Sequence, residues 1–209
     1  MKKNKIAIPV ILLFITCSFG VLSSIDLFKE IGLDQEEVNS SIDNNFTFAG
    51  VSFMITDEMR KMSPAKKNEV LVVMGDYIKT RVKSKEFMEQ YMSTREEGKP
   101  TLEMPIESIE DPEERAQAAK DFKKFVTEFE TDYPPTINGL IARRLQQFLT
   151  LTEGIDFNTK LIKRGKFYYF EDQTLEAKPT EWKLVFRYGK DVIVPARNYA
   201  KQWLAQLPK

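Results

Sequence analysis

Four cations and four aromatic residues crowd one eleven-residue stretch: Lys160, Lys163, Arg164 and Lys166 surround or precede Phe167, Tyr168, Tyr169 and Phe170. Cations beside aromatic faces can hold an anionic glycan, a lipid headgroup or single-stranded nucleic acid, because rings stack while cations meet negative charge. The competing reading is a two-sided hairpin that lays alternate aromatics on a helical body and leaves its charges in water. Half-buried strands alternate in any case, and the pattern favours this blander reading. A second cationic pair, Lys183 and Arg187, stands four residues apart beside Trp182 and Tyr188 and forms a ridge on a helix. Trp182 shares the face of Phe186 and reads as core. The candidate ligand-binding residues are therefore Lys160, Lys163, Arg164, Lys166, Tyr168, Lys183 and Arg187.

Carboxylates are the other chemistry to weigh. Glu103, Glu107, Glu110, Asp111, Glu113 and Glu114 follow one another with no cation between Lys99 and Arg115. The run lacks the alternating Asp/Asn and the glycine of an EF-hand loop. Proximity to a helix start accounts for its last three acids. Carboxylate catalysis on a glycan needs two acids about 5–9.5 Å apart in a cleft. Glu153 with Asp156 is the pair nearest a helix end, and nothing raises it above the other acids. The S-x-x-K match at Ser63 and Lys66 reads better as the cap and first turn of a helix. There is no nucleophile elbow, no glycine-rich phosphate loop and no metal-ligand spacing. No catalytic residue, metal or cofactor is assigned.

Composition narrows the chemistry further. The 209 residues contain no histidine and one cysteine, Cys17. Every His-dependent triad, His-ligated zinc site and imidazole base is excluded. Lys+Arg and Asp+Glu each number 31, so no net field marks a polyanion binder, and nucleic acid is not an expected partner. An apolar fraction of 42% suffices for a core at this length.

Residues 1–20 read as an address. Lys2, Lys3 and Lys5 form a basic start, Ile6 to Cys17 an apolar run, and Ser18 and Gly20 a small-residue cleavage site: the pattern of a secretory signal peptide. Retained, the same segment would be a membrane tether, but a span needs about 20 apolar residues and this run is interrupted by Pro9, Thr16, Ser18 and Gly20. Lipidation of Cys17 asks for a small residue before it and finds Thr16. Cleavage after Gly20 removes three lysines and no acid, leaving 28 cations against 31 anions, a net of −3. A body without thiols, disulfides or imidazoles follows, and the expected location is secreted or periplasmic, in the cell envelope.

The elements that must position these groups are mostly helical. Residues 21–55 read as a short helix over 24–33, a polar linker over 34–45 and an apolar segment over 46–55 that is a strand or irregular stretch. Residues 56–209 read as a single domain. Ser63-Pro64 and Asp111-Pro112 are helix starts in which a capping side chain precedes proline at the first helical position. Apolar residues then recur at three- and four-residue steps over 70–92, with Ser84 the one uncertain point, and over 118–133, 137–149 and 182–204. Pro195 marks a kink or a break in the last of these. A hairpin near 159–171 turns at Arg164-Gly165. The fold class is mainly α: a helical bundle of about four long amphipathic helices with a small β-hairpin before the C-terminal helix. The expected function is an exported, soluble, non-catalytic helical protein that binds an envelope protein or a glycan. The alternatives are a carboxylate-dependent, glycan-directed envelope hydrolase and a membrane-tethered structural protein. Membrane contact follows only if the N-terminal segment is retained or Cys17 is lipidated.

Overall fold

The structure is a computed structural model, and it describes residues 25–48, 56–102 and 105–208. The N-terminal segment expected to be a signal peptide, with Cys17, and most of the apolar stretch over 46–55 lie outside those residues. The chain is mainly α, with one two-stranded antiparallel hairpin. In order come α1 (Leu27–Ile31), α2 (Gln35–Thr47), α3 (Asp57–Lys61), α4 (Pro64–Arg81), α5 (Lys85–Glu97), α6 (Pro112–Asp132) and α7 (Ile137–Leu151). Strands β1 (Leu161–Arg164) and β2 (Phe167–Phe170) follow, then α8 (Gln173–Glu176), α9 (Thr180–Tyr188) and α10 (Lys190–Gln206). Among the described residues no helix is long and apolar enough to cross a membrane.

The two start signals act as the sequence predicts. Ser63 Oγ accepts from Lys66 N at 3.3 Å, and Asp111 Oδ1 accepts from Glu113 N and Glu114 N at 2.8 and 2.9 Å. Ser84 proves to be a boundary: it accepts from Phe87 N at 3.2 Å and begins α5 as a new helix.

Two expectations need correction. Residues 34–45 are not a linker. They form most of α2, opened by a capping box in which Asp34 Oδ1 accepts from Glu37 N at 2.8 Å and Glu37 Oε2 accepts from Asp34 N at 3.0 Å. The Asp-x-x-Glu spacing was the visible signal, and Val38, Ile42 and Phe46 at four-residue steps supply the buried edge. Phe46 and Thr47 complete this helix instead of starting a strand. Leu27, Ile31, Val38 and Ile42 join the same core cluster as the later helices. The C-terminal break, in turn, falls at Gly189 and not at Pro195. Gly189 has φ 86° and ψ 164°, a conformation open essentially to glycine alone, and it separates α9 from α10. Pro195 sits inside α10, where it forgoes one intrahelical bond without ending the helix.

Cross-helix bonds fix the arrangement around α4. Lys67 pairs with Asp191, Tyr199 donates to Asp76, and Lys79 donates to Gln206, so positions along α4 and α10 rise together and the two helices run parallel. Tyr77 donates to Asn39 and Arg81 forks onto Asp43 at 3.0 and 2.6 Å, which gives α2 the same direction. Gly75 allows the α4–α10 approach: a Cβ there would lie 2.6 Å from Tyr199 Cζ.

Arg144 of α7 reaches under the end of α2. Its Nε donates to Phe46 O at 2.8 Å, its Nη2 to Thr47 O at 3.3 Å and its Nη1 to Gln147 Oε1 at 3.1 Å. It thereby serves carbonyls that a helix C-terminus leaves without intrahelical donors. The Tyr133 ring lies 5.6 Å from its guanidinium.

Helix α6 departs furthest from expectation. Its stripe of Ala118, Phe122, Phe125, Val126 and Phe129 has the helical period, yet none of its residues is buried and Phe125 is 57% exposed. Its N-terminal turn is held locally, by Arg115 donating to Ile109 O and Glu110 O, and its C-terminal end is fastened to α5. Arg95 of α5 donates to Glu130 at 2.5 Å and to Tyr133 O at 2.7 Å, with Phe129 5.5 Å below the guanidinium. Phe125→Ser is therefore expected to change global stability by less than about 0.5 kcal/mol, since nothing buried is lost. Urea denaturation checks this, and a loss of 2 kcal/mol or more would show that the stripe is covered.

Candidate functional site

The hairpin is held at its root and open at its tip. Its register pairs Leu161 with Phe170, Ile162 with Tyr169, Lys163 with Tyr168 and Arg164 with Phe167. The two-residue connection is Gly165-Lys166, one position later than the expected Arg164-Gly165. Gly165 supplies φ 64° there, which a tight hairpin turn requires. Directly paired residues share a face. Leu161, Phe170, Lys163 and Tyr168 therefore line one side, and Ile162, Tyr169, Arg164 and Phe167 the other.

Phe170 alone of the four aromatics is buried. It lies 4.7 Å edge-on to Phe186 and 5.6 Å from Trp182, while Phe157 stacks on Phe186 at 6.0 Å. Trp182 thus packs as an aromatic partner, as its spacing predicted, and is half-buried. A polar clasp joins this apolar one. Glu176 accepts from Phe170 N at 2.9 Å and meets Lys183 at 3.4 Å, and Lys183 also donates to Glu176 O at 3.0 Å.

At the tip the alternation expected of a half-buried strand fails. Phe167 is 65% exposed and Tyr168 is 54% exposed, and as neighbours in one strand they face opposite ways. Neither side of the tip rests on the body. Lys163 sits 6.0 Å above the Tyr168 ring and Arg164 5.8 Å above the Tyr169 ring, so two aromatic faces carry cations in solvent. Lys166 is exposed at the turn. Among the described residues no ion pair engages Lys163, Arg164 or Lys166, whereas Lys160 pairs with Glu171 at 3.0 Å.

Lys183 belongs to the clasp and is drawn away from the open ridge expected for it, while Arg187 stays exposed. The structure thus brings Lys163, Arg164, Lys166 and Tyr168 together at one tip and assigns Lys183 to holding that tip in place. Phe167 completes the exposed aromatic surface and was absent from the candidates, because strand alternation alone does not tell which end of a hairpin leaves the body.

Chain comparison adds no relative. No protein-family model matches this chain, and no curated protein or solved structure matches it. The site must be argued from its own geometry.

Two carboxylate arrangements bear on the hydrolase alternative. Glu153 and Asp156 are both exposed, and Asp156 Oδ1 is occupied in its own turn by Asn158 N at 2.9 Å. A polar groove between α2, α4 and α5 holds Asp43 and Glu86, but Arg81 clamps both, at 2.6 and 2.5 Å. The hydrogen bond from Arg81 holds Glu86 below the usual carboxylate range, opposite to what a general acid requires. Among the described residues no group of acids, cysteines or histidines gathers in a way that could hold a metal ion.

The clasp has a pH signature. The Phe170 amide bond, and after it Lys183, hold the Glu176 carboxyl below its ordinary value. A depressed carboxylate contributes stability that is complete above its unfolded value, about 4.3, and is lost as pH falls toward the lower folded one. The hairpin root is therefore expected to loosen below about pH 4. The Phe170 amide resonance, followed from pH 6 to 2.5, should move with an apparent value below 4.3, and a midpoint above that would contradict the clasp.

Proposed function

We propose that this is an exported, non-catalytic helical protein that binds an envelope partner through the tip of its β-hairpin. The observation that carries the reading is the exposure of Phe167 and Tyr168 on opposite faces beside three cations free of ion pairs among the described residues. Solvated aromatic side chains contribute little to the fold and are common in binding surfaces. The cations select a negatively charged partner, either an acidic protein surface or an anionic glycan. The rings supply flat apolar contact to it. Export is supported by the basic start and apolar run of residues 1–20.

The experiment is a pair of variants compared with the parent in pull-downs from envelope fractions and in glycan binding. One changes Lys163, Arg164 and Lys166 to Ser; the other changes Phe167 and Tyr168 to Ser. Each is expected to lose at least tenfold in partner capture with an unchanged circular dichroism spectrum. Retention of every partner by both variants would remove the hairpin from the binding surface. Mass spectrometry of the N-terminus tests export separately, with cleavage expected after Gly20.

A further inference from the structure

A second site lies inside the bundle. Helices α2, α4, α7 and α10 line a partly open cavity of about 170 Å³ whose walls are largely apolar, among them Phe46, Met74, Leu145 and Ala200. Two features set it apart from a packing defect. Arg144 lines it, is buried, and spends its hydrogen bonds on two backbone carbonyls and a glutamine; among the described residues none goes to a carboxylate. Trp203 also lines it, is only 3% exposed, and among the described residues its Nε1–H has no acceptor. Both flank Phe46, whose carbonyl takes the Arg144 bond and whose ring lies 6.3 Å from that of Trp203.

Buried donors without acceptors and buried cations without anions are each costly, and natural cores seldom keep them without a role. The remaining polar lining, Ser41, Asn45 and Gln147, comes from α2 and α7, the helices that meet at Arg144. The α4 and α10 walls are apolar, apart from the Trp203 indole N–H and the Tyr199 hydroxyl, the latter committed to Asp76. The cavity is thus amphipathic, with one cationic side and one greasy side.

We propose that it binds a small hydrophobic carboxylate, an aromatic or short-chain acid of about six to eight carbons, with the carboxylate toward Arg144 and the apolar body against α4 and α10. The volume suits this class, since apolar cavities of about 150 Å³ take a benzene ring. The guanidinium supplies the anion preference. This site is separate from the hairpin and stands whether or not the hairpin binds a partner.

Benzoate, hexanoate and the neutral isostere toluene are titrated into the intact protein while the Trp203 indole N–H resonance is followed. Both acids should bind saturably and shift that resonance, with toluene at least tenfold weaker. Ala200→Leu, which fills the cavity without touching a charge, should weaken both acids at least tenfold while leaving the fold intact. Arg144→Gln should bring benzoate down to the toluene level. If that variant does not fold, the Ala200→Leu result and the preference for benzoate over toluene decide. Absence of any shift, equal binding of benzoate and toluene, or unchanged affinity in Ala200→Leu would each overturn the proposal.

Discussion

Arg144→Ala is expected to lower the unfolding free energy by about 3–4 kcal/mol, a large fraction of the 5–15 kcal/mol typical of a domain. The reason is local. Arg144 donates to Phe46 O and Thr47 O at the end of α2, and Thr47 is buried. Removing the donors strands two acceptors, one on the buried Thr47 and one on the half-buried Phe46, at about 1–3 kcal/mol each where water is excluded. Stacking on Tyr133 is lost as well. Two further variants separate the contributions. Arg144→Met keeps an apolar stem but no donor, and it should be nearly as damaging as alanine. Arg144→Lys keeps the charge but lacks the planar fork, and should fall between alanine and the parent. Urea denaturation of the three variants at one pH measures the order. Alanine and methionine variants within 0.5 kcal/mol of the parent would show that α2 does not depend on this side chain.

The second large effect sits where α4 meets α10. Alanine is a better helix former than glycine by about 1 kcal/mol, so propensity alone predicts that Gly75 should welcome a side chain. The packing predicts the opposite. Any Cβ meets three atoms of the Tyr199 ring between 2.6 and 2.9 Å, and the ring is tethered by its hydroxyl bond to Asp76 at 2.7 Å. Gly75→Ala should therefore be destabilising despite its propensity, and Gly75→Val should cost about 3 kcal/mol through overpacking. Tyr199→Leu removes the ring tip, so the Gly75→Val/Tyr199→Leu double variant should be more stable than the sum of the single effects by more than about 1 kcal/mol. Thermal denaturation of the cycle tests the coupling. A stabilised Gly75→Ala would mean that the ring moves aside freely.

Much of the fold was legible wherever a start signal met a long apolar period. Ser63-Pro64 and Asp111-Pro112 announced α4 and α6, and the spacing from Ile137 to Leu149 announced α7. What the residues did not disclose was what covers each face. The stripes of α4 and α6 have the same period, yet α4 buries Val70 and Met74 while α6 buries nothing. Periodicity reports that a helix has an apolar side; burial depends on partners distant in sequence. Helix α2 was concealed by its polarity, since only Val38, Ile42 and Phe46 mark its inner edge among many side chains that favour turns. The hairpin was legible as a hairpin, but its open tip was not, because alternation is the same whether one face is covered or neither. Nothing local in the sequence pointed to the cavity: its walls come from four helices, and Arg144 looks like any other helical cation until α2 is placed above it.

The parallel pairing of α4 with α10 bears on when the protein can fold. Lys67 meets Asp191, Asp76 meets Tyr199 and Lys79 meets Gln206 across separations of 124, 123 and 127 residues. Of the described helices, the one that closes the core is thus the last in chain order. Until α10 emerges, the flank of α4 that packs on it has no partner, and the entropy of closing so long a loop must be met before those contacts form. A chain synthesised only as far as α9 lacks the helix that covers this flank of α4. Among the described helices the bundle therefore closes only once the seventeen-residue α10 has joined α4.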